Sequence, residues 1–298
     1  MFQGVYTALA TPMAADGKID YPALDALLKS QLQAGVDGLV LLGTTAETPT
    51  LSAQEKNDLL RFCMERIAGK TKIIIGTGAN STTAALENTR AAAAFHPDGV
   101  LVVTPYYNKP NLSGLTEHFR QIATVGLPVV LYHIPGRTGL KLSAGQLDTL
   151  LKEVPQIAGI KEADYDLARI AQTAVSHADK KDILCGNDDL FPAYLALGAR
   201  GIISAAANIL APAFVQMYKH FFQGAPQKAF DIFAHVYPLV KACYAETNPT
   251  CIKYMLGKFG YGTQAVRLPL GEITPEHKRE IDNLLKNTDP AFLIKGNL

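Results

Sequence analysis

The chain lacks the markers of several protein classes. It has no long basic run and no aromatic motif of the RNA-binding type, and 28 basic against 27 acidic residues leave a net charge of +1. Nucleic acid is therefore not an expected partner. The longest apolar stretches are strand-sized, well short of the roughly 20 residues that a membrane span needs. The opening segment Met1-Phe-Gln-Gly-Val-Tyr-Thr-Ala-Leu-Ala10 has no basic region and no cleavage pattern, so no signal peptide is expected. Four cysteines (Cys63, Cys185, Cys243, Cys251) show no C-x-x-C spacing and read as free thiols of a reducing cytoplasm. Seven histidines include no H-x-H at a strand end and no H-E-x-x-H, so no metal is expected.

What is present is a regular alternation. Hydrophobic residues make up 48% of 298 positions, ample for a large core. Short apolar runs predict strands over Gly4–Ala10, Gly38–Leu42, Lys72–Gly76, Gly99–Val103, Pro128–His133, Ile157–Lys161, Asp182–Cys185 and Gly201–Ser204. Continuous runs such as Leu39-Val-Leu-Leu42 suit strands buried on both faces of a parallel sheet. Between them the spacing predicts helices over Tyr21–Ala34, Ser52–Ala68, Thr82–Phe95, Leu112–Thr124, Ala144–Leu151, Leu167–His177 and Leu190–Leu197, with Ser52 and Glu55 as a capping box. Eight β-α alternations without a G-x-G-x-x-G turn favour a (β/α)8 TIM barrel over a doubly wound sheet. Four further helices, Phe214–Phe222, Pro226–Tyr244, Thr250–Phe259 and Pro275–Lys286, exceed what closure needs. The division expected is a catalytic barrel over residues 1–224 and a helical C-terminal extension over 225–298 that packs between subunits.

Chemistry in such barrels sits where strands end. Lys161 ends the apolar run Ile157-Ala-Gly-Ile-Lys161, where an unpartnered ammonium is costly. The usual escape is a lowered pKa, which yields a nucleophilic amine able to form Schiff bases; the bland alternative is a pairing with Glu162. Other strand ends supply companions. Gly43-Thr-Thr-Ala-Glu47 offers N–H groups and hydroxyls suited to a carboxylate. Two tyrosines lie in Thr104-Pro-Tyr-Tyr-Asn-Lys-Pro110, and Tyr132 precedes His133-Ile-Pro-Gly-Arg-Thr138, whose Arg137 can clamp a carboxylate. Asp188 and Asp189 after Gly186-Asn187 repel phosphate, and Ile203 offers a backbone carbonyl. An amine, tyrosines, threonine hydroxyls and an arginine at one barrel mouth form a Schiff-base constellation, with Tyr132 placed to shuttle protons.

Gly43-Thr-Thr-Ala-Glu47, Tyr106-Tyr-Asn-Lys-Pro110, Tyr132-His-Ile-Pro-Gly-Arg-Thr138, Ile160-Lys-Glu-Ala163 and Gly201-Ile-Ile-Ser204 together resemble the motif set of the dihydrodipicolinate synthase family, within the N-acetylneuraminate lyase superfamily. The resemblance extends over nearly the whole chain, through Asn248-Pro249, Lys253 and Arg267-Leu-Pro269. It implies that Lys161 forms a Schiff base with pyruvate, with no other cofactor, and that the enamine attacks L-aspartate 4-semialdehyde on the route to lysine and diaminopimelate. Tyr132 would shuttle protons with Thr44 and Tyr107, the last supplied by a neighbouring subunit. Thr45 would bind the pyruvate carboxylate, Gly186 and the Ile203 carbonyl would line the pocket, and Arg137 would bind the semialdehyde carboxylate. A homotetramer built as a dimer of dimers is implied.

Departures from the family pattern are Ala46 for a more frequent glycine and His133 for a frequent asparagine. Neither removes a reacting group. The implied allosteric lysine site, Thr48, Lys56, Asn80, Ala84 and Tyr106, departs further. Lys56 adds a like charge against a cationic ligand, and Ala84 removes a carboxylate. Weak or absent feedback by lysine is expected. Three alternatives remain at this level: a sister lyase acting on N-acetylneuraminate or a 2-keto-3-deoxy sugar acid, a metal-dependent barrel hydrolase, and a non-catalytic barrel that serves as a binding protein.

Overall fold

The eight apolar runs form eight strands of one closed barrel: β1 (Gly4–Ala8), β2 (Gly38–Leu41), β3 (Lys72–Gly76), β4 (Gly99–Val103), β5 (Val129–His133), β6 (Ile157–Glu162), β7 (Asp182–Cys185) and β8 (Gly201–Ser204), in sequence order around the barrel. The structure is a computed structural model that describes residues 1–67 and 69–296. Paired strands run parallel, with Tyr6 opposite Gly38, Tyr132 opposite Lys161, and Leu184 opposite Gly201. This is the (β/α)8 barrel that the alternation predicts. Leu39, Val40, Val100, Val102, Val130 and Ile160 are fully buried, as strands covered on both faces require.

The helices are α1 (Tyr21–Ala34), α2 (Ala53–Ile67), α3 (Thr82–Ala93), α4 (Leu112–Ala123), α5 (Pro135–Thr138), α6 (Ala144–Glu153), α7 (Leu167–His177), α8 (Phe191–Ala196), α9 (Ala207–Phe222), α10 (Pro226–Ala242), α11 (Thr250–Lys258) and α12 (Pro275–Asn287). Polar side chains start many of them: Asp20, Ser81, Asn111, Ser143, Asp166 and Thr274 each accept a backbone N–H of the first turn. Ser52 and Glu55 form the reciprocal capping box, at 2.8 and 3.1 Å. Ala68, expected to close α2, lies outside the described residues.

Several boundaries differ from the expected ranges, most by one or two residues, and two differences have a clear local reason. β2 stops one residue early because Leu42 adopts the left-handed conformation at φ 54°. Helix α9 begins at Ala207 instead of Phe214. Pro212 reads as a breaker, but the chain bends around it at Leu210 (φ −106°) and continues.

Contacts group the chain into two compact units. One comprises Met1–Gln3 with Lys72–Ile203. In it the terminal ammonium and the Phe2 N–H both reach Asp182 Oδ2 at 2.7 Å. The other comprises Gly4–Thr71 and the segment from Ser204 onward. There the Asn208 side chain donates to Ala8 O at 2.8 Å and accepts from Ala10 N at 2.9 Å, fastening α9 to β1. Among the described residues no helix is long and apolar enough to cross a membrane, and all four cysteines are buried and outside any disulfide.

His118 on α4 is buried, with Nδ1 3.0 Å from Thr82 Oγ1. Burial pushes its pKa down to about 4 from the ordinary 6.5. Between those values the unfolded chain binds a proton that the fold excludes, so stability falls as pH drops from about 6.5 towards about 4. The full effect is about 3 kcal/mol. His118→Gln is expected to recover most of that loss, measured as the shift in urea midpoint between pH 7 and about pH 4.5. An identical acid loss in the variant would refute the assignment.

Candidate active site

Alternation along adjacent parallel strands decides which side chains meet. Tyr132 on β5 and Lys161 on β6 are partners in register, and both side chains leave the same face of the sheet. Lys161 is 6% exposed and Tyr132 7%. The Lys161 Nζ sits 4.2 Å from the centroid of the Tyr132 ring. Among the described residues no carboxylate lies within ion-pair distance of that nitrogen. The pairing of Lys161 with Glu162 does not occur, because Glu162 is the next residue and points the opposite way.

Glu162 is held on that other face by its own partners. His133 Nδ1 lies 2.8 Å from Oε1, the Asp164 N–H donates to Oε1 at 2.9 Å, and Arg169 Nη2 lies 2.8 Å from Oε2. Asp164 in turn takes Arg169 Nε at 3.3 Å and Lys141 at 3.3 Å. Gly186, after β7, donates its N–H to Glu162 O at 2.7 Å. A Cβ there would stand 2.9 Å from that carbonyl oxygen and 2.8 Å from the Ala163 methyl, so only glycine permits the approach. Ile203 on β8 is fully buried.

Arg137 is exposed on the single turn α5, which proline opens. Tyr107 is 90% exposed and held at φ 74°, an unusual conformation for a residue with a side chain. Tyr106 beside it is 40% exposed. The Asn108 side chain donates to Asn80 O at 2.8 Å, joining the tyrosine loop to the start of α3, where Ala84 lies in the first turn.

The loop after β2 is built separately. Thr44–Ala46 form one tight turn, ended by Glu47 in the left-handed conformation at φ 54°. Thr48 Oγ1 donates to Gly43 O at 2.8 Å, and Thr11 Oγ1 donates to Ala46 O at 2.9 Å. The Asn248 side-chain amide donates to Thr45 Oγ1 at 3.0 Å, which leaves the Thr45 hydroxyl proton free to point elsewhere. Glu47 is buried with Lys253, whose Nζ is 2.5 Å away, and its second oxygen accepts the Arg267 N–H at 2.8 Å. Burial pulls the Lys253 pKa down, against the opposing charge of Glu47. The Arg267 guanidinium binds Gly17 O, Thr50 O and Glu55. That contact holds the Glu55 carboxyl down at about 2. Lys56, next to Glu55, is half-buried on α2.

In the sequence Asn248, Lys253 and Arg267 stand only as motif fragments, and nothing there marks Arg169 or the role of His133. A signal existed for Lys253. It interrupts the apolar stretch Cys251-Ile-Lys-Tyr-Met-Leu256, a charge in an apolar run as Lys161 is at the end of its own. Among the described residues no three His, Cys, Asp or Glu side chains are grouped to hold a metal ion.

A closed parallel barrel, with a buried lysine over a tyrosine at the ends of adjacent strands, places the chain among the (β/α)8 barrel proteins. The model of the dihydrodipicolinate synthetase family matches residues 1–288, and the chain belongs to that family. The 4-hydroxy-tetrahydrodipicolinate synthase of Methanocaldococcus jannaschii is 38% identical over 288 residues, covering 96% of this chain and 99% of that one. The structure of the 4-hydroxy-tetrahydrodipicolinate synthase from Methylacidiphilum fumariolicum SolV superposes with a TM-score of 0.94 at 36% identity, covering 98% of this chain and 97% of that chain. The chloride-inhibited dihydrodipicolinate synthase from Acinetobacter baumannii, complexed with pyruvate, gives a TM-score of 0.93 at 35% identity, covering 96% of this chain and 99% of that chain.

Removing one partner of a buried ion pair leaves the other charge uncompensated. Lys253→Met is therefore expected to cost about 3–5 kcal/mol, and the double variant Glu47→Gln, Lys253→Met clearly less. Urea denaturation at neutral pH reads both; a single variant as stable as wild type would contradict the pairing.

Proposed function

We propose that the chain is a 4-hydroxy-tetrahydrodipicolinate synthase that condenses pyruvate with L-aspartate 4-semialdehyde through a Schiff base on Lys161. The observation that carries this reading is the buried Lys161 amine, lacking a carboxylate partner among the described residues and resting over the Tyr132 ring. Family membership and the names of the relatives support it.

The chemistry follows from the amine. The Lys161 nitrogen attacks the pyruvate keto carbon, and the carbinolamine loses water to give an iminium. Loss of a methyl proton gives the enamine, with the iminium nitrogen as electron sink, so no other cofactor is called for. The enamine carbon attacks the aldehyde carbon of the semialdehyde. The semialdehyde amino group then displaces the lysine from the iminium carbon and closes the ring. One water leaves overall. Tyr132, beside the amine, carries the protons of these steps, linked to Thr44 and to Tyr107. Thr45 binds the pyruvate carboxylate through the hydroxyl proton that Asn248 leaves available. Gly186 and the Ile203 carbonyl line the pocket, and Arg137 receives the semialdehyde carboxylate.

The reading includes a homotetramer, a dimer of dimers, in which each Tyr107 serves a neighbouring subunit. The strained backbone and 90% exposure of Tyr107 support that assignment. A cytoplasmic location agrees with four cysteines that show no C-x-x-C spacing. For the lysine site the reading keeps Thr48, Lys56, Asn80, Ala84 and Tyr106, with charge arranged against the ligand.

Borohydride reduction in the presence of pyruvate, followed by peptide mapping, tests the reading. A pyruvate adduct on Lys161, absent from Lys161→Ala, is expected, and consumption of aspartate semialdehyde by the wild type completes the assignment. No adduct, or one on another lysine, would overturn it. Tyr132→Phe is expected to lower kcat by roughly 10²–10⁴-fold. Free lysine is expected to inhibit weakly or not at all, so half-maximal inhibition at micromolar lysine would contradict the assignment of Lys56 and Ala84.

A further inference from the structure

His133 and Glu162 follow Tyr132 and Lys161 in the chain and are themselves opposite in register. They point away from the reactive pair and are buried to 0% and 3% side-chain exposure. His133 spends both ring nitrogens. Nε2 lies 3.1 Å from the Leu142 backbone N–H. A peptide N–H only donates, so Nε2 is the acceptor. The proton of the neutral ring therefore sits on Nδ1 and is donated to Glu162 Oε1 at 2.8 Å. One imidazole thus joins three pieces of chain: β5, which carries Tyr132; the end of β6, which carries Lys161; and the segment that returns from α5, which carries Arg137. Arg169 on α7 holds the far oxygen of Glu162 at 2.8 Å, so the carboxylate cannot follow the ring if the ring moves.

We infer that His133 is a positioning residue for the reaction: through Glu162 it sets Lys161 against Tyr132, and through the Leu142 N–H it holds the Arg137 segment. The inference rests on the proposed synthase reading. His133 touches no substrate. An apolar side chain in its place would leave a buried carboxylate short of one donor and a buried N–H without an acceptor. An amide side chain offers one donor and one acceptor and can restore both links.

The two arms have separate readouts. The rate of borohydride trapping with pyruvate reports the Lys161 arm, and KM for aspartate semialdehyde reports the Arg137 arm. His133→Phe is expected to impair both by about tenfold to a hundredfold, as small misplacements at a reacting centre do. His133→Gln is expected to bring both back most of the way. Glu162→Gln keeps the shape but weakens the Arg169 and His133 contacts; it is expected to slow trapping while moving the semialdehyde KM by less than about twofold. If His133→Phe does not fold, the Glu162→Gln split and the His133→Gln behaviour still decide. A role confined to stability would lower the melting temperature of these variants and leave trapping rate and KM unchanged, which would overturn the inference. Wild-type protein that fails to trap pyruvate would instead overturn the synthase reading.

Discussion

The two-residue repeat of a β-strand is the constraint from which the site follows. On β6 it sends Lys161 to one face and Glu162 to the other, and on β5 it does the same with Tyr132 and His133. Without that separation the adjacent lysine and glutamate would neutralise each other as a surface pair does. With it, the glutamate charge is met by Arg169 and His133, and among the described residues the lysine meets the face of a tyrosine ring and no carboxylate. A cation–π contact is worth about 0.5–2 kcal/mol, less than the several kcal/mol lost when an ammonium leaves water. Stability alone therefore does not account for a lysine at this position; the proposed Schiff-base role would.

A second separation operates in the unit that carries β2. The turn Thr44–Ala46 is short, polar and ended by a non-glycine residue in the left-handed region. Such a turn holds one shape only if its surroundings over-determine it. The surroundings here come from the far end of the sequence. Asn248 fixes Thr45, Lys253 and the Arg267 N–H fix Glu47, and the Arg267 guanidinium ties Thr50 to Gly17. The polar groups of the helical C-terminal segment thus set the conformation of a loop about two hundred residues earlier in the chain. Fully buried charge in that arrangement specifies geometry more than it adds stability.

How much of this was legible depends on the range over which each signal acts. Strand and helix positions came from local patterning, and β3, β4, β7, β8, α1 and α7 match to the residue. Lys161 and Tyr132 were legible because each ends an apolar run, and the barrel topology makes consecutive run-ends neighbours. Helix α9 extends further than Phe214–Phe222 because Pro212 does not end it: the bend is absorbed at Leu210, two residues before the proline. The long-range polar links were not legible. Nothing local in Asn248 or Arg267 says which carbonyl, carboxylate or hydroxyl it reaches, since those partners are set by the packing of α11 and the segment beyond it.

His133 shows the limit most clearly. As a sequence feature it was a departure from a frequent asparagine that removed no reacting group. The structure sets one requirement there: a buried side chain with a donor on one side for Glu162 and an acceptor on the other for the Leu142 N–H, and an amide carries one of each as well. Histidine meets it with two ring nitrogens, provided the ring is neutral and the proton sits on Nδ1. The acceptor role at Nε2 selects that tautomer, because a ring protonated at both nitrogens would set a donor against the Leu142 N–H. Position 133 is therefore restricted by the donor and acceptor around it, and any side chain that supplies both complements can keep both links.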